Sequence, residues 1–319
     1  MENISQWVGI DVSQASLDVY IRPLGKAIKV ANTEAGISQL VNDLKSYEVN
    51  RVVLEATGGL ETELIIQLQG AGLPVSLINP RQGRNFAKAT GKLAKTDAID
   101  AQILAHFGEA VQPPILAMQS EESRQLKELM ARRKQLVEMQ TAEKNRRSRA
   151  RGKALADIEA HLKYLDNRLE QLNQEIEQLT QTNQQCLAKV NLLKTLPGIG
   201  QVIATTLVSN LPEIGQLSAK QIASLVGVAP INHDSGQHRG KRMIGGGRAQ
   251  VRSILHKGTL VAIRYNPVIK AFYERLLERG KAKKLALTAC MRKILVILNA
   301  MVRQNQPWQL PENLQPLCS

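Results

Sequence analysis

Aromatic side chains are scarce in this chain: Phe, Trp and Tyr make up 3% of its 319 residues. So few rings argue against base-stacking platforms as the main way of holding a nucleic acid. Cysteine is nearly absent too. Cys186, Cys290 and Cys318 lie far apart without C-x-x-C spacing, so neither a zinc site nor a disulfide framework is suggested. Buried or incidental thiols are expected instead. The five histidines are scattered. No apolar run approaches the roughly 20 residues that span a bilayer. Residues 1–6 lack the basic start and apolar stretch of a signal peptide. The expectation is a cytoplasmic protein without a membrane partner. Between residues 120 and 180 proline is missing and glycine occurs once, at Gly152, so little there interrupts a helix.

What the chain has in excess is positive charge, a formal +14 with a pI of about 9.8. Such an excess suits a polyanion, held through Lys and Arg contacts to phosphate. The length allows two or three domains at about 100–200 residues each.

The first hundred residues read as α/β. Residues 7–11, 16–21 and 29–31 suggest three strands in an antiparallel meander, with a turn at Gly25. Asn32 or Thr33 can cap a helix burying Ile37, Leu40, Val41 and Leu44. Residues 52–54 form a buried strand ending at Glu55. A helix through Leu64, Ile65 and Leu68 follows, then a strand at 75–78 closed by Pro80. This order is that of a ribonuclease-H-like fold. From about 120 to 180 the spacing of Ile158, Leu162, Leu165, Leu169, Leu172, Ile176 and Leu179 alternates four and three, a heptad seam. With Leu126, Leu129 and Leu136 upstream it predicts a helical hairpin or coiled coil. A basic run, Lys144 to Lys153 with Arg146, Arg147, Arg149 and Arg151, lies near its tip, as a nucleic-acid contact or a solvated helix face. Beyond residue 190 the chain is mainly helical. Leu196-Pro-Gly-Ile-Gly200 resembles a helix-hairpin-helix, in which Gly198, Gly200 and a helix N-terminus hold a phosphate, or else an ordinary turn. A Gly- and Arg-rich stretch follows, with Ser235, Arg239, Lys241, Arg242, Arg248 and Arg252.

Four carboxylates stand out. Asp11 and Glu55 end apolar strands, where an unpartnered acid is costly. Asp97 and Asp100 sit one helical turn apart on one face, although Thr96 or Asp97 could equally be an N-cap and Asp11 a turn residue. Together they suit a two-metal site for phosphoryl transfer, and carboxylates without histidine favour Mg2+ or Mn2+ over zinc. A rival reading is the first phosphate loop of sugar kinases and actin-like ATPases, which share this core, but no second glycine-rich loop is visible. A non-catalytic DNA-binding coiled-coil protein is a further alternative.

Gly9-Ile-Asp11, Glu55-Ala-Thr-Gly58, Ile78-Asn-Pro80, Lys95-Thr-Asp97-Ala-Ile-Asp100-Ala101, Leu196-Pro-Gly-Ile-Gly200, Gly227-Val-Ala-Pro230, Asp234-Ser235-Gly236 and Arg239-Gly240 occur in that order. Over nearly its whole length the chain thereby resembles the DEDD transposases of the insertion-sequence family that includes the Piv-type DNA invertases, some of them guided by a bridge RNA. The resemblance implies a RuvC-like metal domain (1–115), a coiled-coil hairpin (116–188) and a C-terminal transposase domain (189–319). It implies a metal quartet at Asp11, Glu55, Asp97 and Asp100, a covalent serine nucleophile at Ser235, and a composite site shared between protomers of a dimer of dimers. It also implies DNA and a guide RNA as partners. A Piv-like invertase without guide RNA, and a RuvC-like nuclease using the quartet alone, remain open.

Overall fold

The computed structural model describes residues 5–310 apart from 93, 95, 119, 233, 237 and 241, and apart from the side chains of His238 and Arg239. The chain forms two compact units, residues 1–118 and 119–319.

The first unit is built on a five-stranded sheet. Strands β1 (Gln6–Val12), β2 (Ser16–Arg22) and β3 (Lys26–Ala31) form the expected antiparallel meander. Helix α1 (Glu34–Lys45) leads to β4 (Val49–Glu55), and α2 (Thr62–Gly70) to β5 (Val75–Ile78). Both later strands run parallel to β1, so the order is β3-β2-β1-β4-β5. Thr33 is the cap of α1, accepting from the Gly36 amide at 3.3 Å. Val8, Ile10, Leu17, Val19, Ile21, Val52 and Leu54 pack with Ile37, Leu40 and Leu44 of α1 and Leu64 and Leu68 of α2. Because strand side chains alternate, the neighbouring residues Gly9, Asp11, Asp18, Val53 and Glu55 face the other side. There Val53 and Ile78 meet Leu104 and Phe107 of α4 (Asp97–Val111) and Phe86 of α3 (Pro80–Ala89).

Pro80 begins a helix rather than ending a segment. Its fixed φ suits the first helical position, where the missing N–H costs nothing. Asn79 and Gln82 complete a capping box around it.

The second unit starts with the helical hairpin, α5 (Glu121–Arg147) and α6 (Gly152–Thr182). Leu162, Leu165, Leu169, Leu172 and Ile176 are buried along the expected seam. Leu165 to Ile176, with Leu126, Met130 and Leu136 of α5, belong to one core with the helices that follow: α7 (Gln184–Lys194), α8 (Gln201–Asn210), α9 (Ala219–Val226), α10 (Ala249–Tyr265), α11 (Pro267–Glu278) and α12 (Lys283–Gln304). A small hairpin, β6 (Asp234–Ser235) and β7 (His238–Arg239), interrupts the helices. By length and composition α12 is apolar enough to cross a bilayer, contrary to the expectation that no such stretch exists. It serves as a core helix: Cys290, Ile294, Leu295 and Leu298 are fully buried. Its buried Asn299 accepts from the Gly215 amide and donates to the Leu217 carbonyl, both at 2.8 Å. Cys186 and Cys290 are buried free thiols, and burial pushes the Cys290 thiol up to about 11. Cys318 lies outside the described residues.

Helix α4 lies directly on the backbone of β1. A Cβ built at Gly9 would stand 2.1 Å from the Ala101 carbonyl oxygen and 2.3 Å from the Ala105 nitrogen. Both obstacles are main chain, so they cannot swing away. Gly9→Ala is therefore expected to cost at least ~3 kcal/mol or to prevent folding of the first unit. Gly70→Ala, in a helix with nothing within 4 Å of the new methyl, should be neutral or mildly stabilising. Chemical denaturation of the two variants checks the contrast, and equal midpoints would refute the close-approach argument.

Candidate active site

Register puts four charged residues in one row. Asp11 lies opposite Asp18 on β2, and Asp18 opposite Lys29 on β3. On the other side Ile10 pairs with Leu54 in parallel register, so Glu55 follows beside Asp11. Cross-strand neighbours share a face. The row Glu55–Asp11–Asp18–Lys29 therefore crosses four strands on the side covered by α4.

One ion pair and one longer-range charge interaction mark how α4 lies over this row. Arg22, at the far end of β2, is ion-paired with Glu109 in the last turns of the helix. At the near end, Lys29 feels the charge of Asp97. The helix thus runs antiparallel to β1, with its N-terminus over the row. Thr96 is its cap, accepting from the Ile99 amide at 3.3 Å. Asp97 and Asp100 fall in its first turn, where the helix dipole favours negative charge. Asp97 is exposed, whereas Asp11, Glu55 and Asp100 are half-buried. All four expected acids are thus brought to one face.

The surroundings are shaped for the carboxylates. A Cβ at Gly83 of α3 would fall 2.1 Å from Oε1 of Glu55, so that glycine leaves the space the carboxylate fills. Just beyond Glu55 the chain turns through Gly58 and Gly59, at φ of 80° and 115°, a conformation that glycine adopts without strain. Buried Glu61 holds this loop, accepting from the Thr57 amide (3.2 Å), the Thr57 hydroxyl (2.8 Å) and the Gly59 amide (2.9 Å). Lys29 donates to both oxygens of Asp18, at 3.2 and 2.9 Å. That hydrogen bond raises the Lys29 pKa, burial opposes the rise, and the charges of Asp18 and Asp97 add to it. Sequence reading missed Asp18, Lys29 and Glu61. Counting back from the turn at Gly25 would have set Asp18 opposite Lys29; no comparable signal marks Glu61.

The donors fit a hard divalent cation in kind, being carboxylate oxygens with a glycine cradle under one of them. They share a face without converging: among the described residues no group of three or more Asp, Glu, His or Cys closes on one point.

Ser235 lies on the second unit, exposed on β6 opposite His238, with Gly236 (φ 54°) in the turn between. Arg242 is exposed, while Lys241 and the side chain of Arg239 lie outside the described residues. Two expected nucleic-acid contacts have internal work instead. Arg248 donates to the Asn210 carbonyl at 3.0 Å and to both carboxylate oxygens of Glu213. Arg252 donates to the carbonyls of Val226 (3.1 Å) and Gly246 (2.7 Å). A guanidinium attracts protein carbonyls as readily as phosphates, and composition cannot tell the two apart. Arg146, Arg147, Arg149 and Arg151 are exposed around the hairpin turn, with Arg146 paired to Glu143 at 2.9 Å. Gly198 (φ 106°) packs on α10, where a Cβ would come within 2.7–2.9 Å of Ala262. Of these two glycines, Gly200, the exposed N-cap of α8, keeps open space around it.

Arg248→Ala should lower stability by about 1–3 kcal/mol, since it strands Glu213, and leave the salt dependence of DNA binding unchanged. Denaturation and a salt titration measure the two effects; an intact stability with a reduced salt slope would return Arg248 to the DNA-contact set.

Residues 8–150 match a family model described as a transposase, and residues 190–274 one described as the transposase IS116/IS110/IS902 family. Pilin gene-inverting proteins of Moraxella lacunata and Moraxella bovis are each 28% identical over 315 residues, 95% of this chain and 97% of theirs. The insertion element IS110 uncharacterized 43.6 kDa protein of Streptomyces coelicolor is 27% identical over 114 residues, 35% of this chain and 28% of its own. These matches set aside the sugar-kinase-like and the non-catalytic readings. The chain belongs to the IS110 family of transposases and recombinases, with the Piv-type inverting proteins among its homologues.

Proposed function

We propose that this chain cuts and rejoins DNA strands through a divalent-metal site at Asp11, Glu55, Asp97 and Asp100 and a covalent link to Ser235. What supports the reading is the common face: two acids at the ends of adjacent parallel strands and two in the first turn of the helix above them. Mg2+ or Mn2+ bound there would stabilise charge on a phosphate and on the departing oxygen. The protein's part is to aim the carboxylates, through the strand ends, the close seat of α4 and the room left by Gly83.

Ser235 stands exposed at a tight hairpin, where a DNA phosphate can reach it. Its Oγ attacks phosphorus as the hydroxyl proton leaves. The bond to the departing sugar oxygen breaks, and that oxygen takes up a proton. The resulting phosphoserine diester conserves the bond for rejoining by the reverse attack. The quartet and Ser235 act as one composite site contributed by different protomers of a dimer of dimers. A guide RNA supplies sequence choice by base pairing while the protein reads backbone and shape, which suits a basic, ring-poor surface. The setting is the cytoplasm of a prokaryotic cell. A second reading is a Piv-like invertase working without RNA; the alignment with the inverting proteins along 97% of their length supports its inversion activity.

Ser235→Ala should abolish covalent protein–DNA adducts while leaving DNA binding intact; adducts that persist on denaturing gels would sink the serine mechanism. Asp11→Asn and Asp97→Asn should each lower strand cleavage at least ~100-fold, as should chelation of divalent metal. Full activity in either variant removes the metal reading. Sequencing RNA that co-purifies with the active protein separates guided from unguided recombination.

A further inference from the structure

We infer that Lys29 is a binding site for a DNA backbone phosphate at the edge of the carboxylate face. The inference rests on the reading of that face given above and adds a residue no sequence motif marks.

A site made of acids repels the polyanion it must receive. A cation fixed nearby offsets that repulsion, provided it is held at the site without being used up by its holder. Lys29 meets both conditions. Asp18 holds its ammonium by two contacts, at 3.2 and 2.9 Å. Asp18 is itself largely buried in the row next to Asp11, with 13% of its side chain exposed, whereas the side chain of Lys29 is 61% exposed. An ammonium has three donors, and one carboxylate leaves capacity for a further oxygen from solvent. The charge of Asp97 reaches Lys29 as well, so the cation belongs to the same electrostatic neighbourhood as the helix end of the quartet.

The rival explanation is that lysines on β3, the edge strand of the sheet, merely discourage pairing with another chain. Lys26 provides the control. It lies on the same strand, and strand alternation puts it on the opposite face from Lys29. Its ammonium donates to the Tyr47 hydroxyl at 3.1 Å. A lysine serving only to block edges would behave alike at both positions.

The test uses the full chain and a duplex of arbitrary sequence, with affinity measured across a range of NaCl. Lys29→Met should weaken binding and reduce the slope of log K against log salt by about one unit, the loss of one phosphate contact. Lys29→Arg should restore the slope. Lys26→Met should leave it unchanged. Lys29→Arg and Lys26→Met should melt as the parent does, whereas Lys29→Met, which strands the largely buried Asp18, should stay folded at 25 °C with a lowered melting temperature. A parent-like slope in Lys29→Met, or an equal fall in Lys26→Met, overturns the Lys29 assignment while the proposed recombination stands. A parent chain that binds no duplex at any salt overturns the reading of the carboxylate face and this inference with it.

Discussion

Helix α4 rests on β1 backbone against backbone, and the candidate site depends on that contact. Any side chain at Gly9 would lift the helix off the strand. The first turn of the helix would then leave the row formed by Asp11 and Glu55. The seat is further set by Gly108, where a Cβ would come within 2.9 Å of Val53. The ion pair from Arg22 to Glu109 fixes the far end of the helix. Packing density at one helix–strand interface thus becomes the spatial relation between acids 42 to 89 positions apart in sequence.

Electrostatics then works against the fold. A cluster of carboxylates on a half-buried face is costly, and each observed feature near it reduces that cost. The N-terminal dipole of α4 favours Asp97 and Asp100. Lys29 neutralises Asp18, which would otherwise be a fifth acid beside Asp11. Glu61 is kept out of the cluster altogether, turned back onto the Thr57 and Gly59 amides. The negatively charged patch on a strongly basic chain is therefore local, as the proposed cation site within a polyanion-attracting surface requires.

Much of the first unit was legible in the sequence because its strands alternate or run apolar over four or more residues and its helices bury a clear stripe. The positions of Asp11, Glu55, Asp97 and Asp100 followed from those elements. What was hidden depends on pairing. Asp18 and Lys29 acquire meaning only from register, which no single strand encodes. Helix α3 was missed because proline stops one element and starts another with equal ease. The β6–β7 hairpin was invisible because two-residue strands carry no period. Helix α12 falls in the region expected to be helical; what its interspersed Lys and Arg hid is that it is long and apolar enough to cross a bilayer.

The late Arg- and Gly-rich stretch, residues 230–252, was the least legible, and its physical logic differs from its composition. Gly227, Gly246 and Gly247 interlock: a Cβ at Gly227 would meet the Gly246 carbonyl at 2.3 Å, and one at Gly247 would meet the Gly227 nitrogen at 2.3 Å. Arg252 ties the Val226 and Gly246 carbonyls across that contact. Arg248 ties the start of α10 to Glu213 and Asn210. The arginines nearest α10 thus brace the root of a loop whose other end is the exposed turn at Ser235 and Gly236, with the Ile231–Met243 bridge between. For the nucleophile proposed at Ser235, these arginine–carbonyl contacts supply a braced root beneath an exposed tip. The positive charge of this stretch is divided accordingly: internal braces at its root, and Arg242 exposed toward its tip.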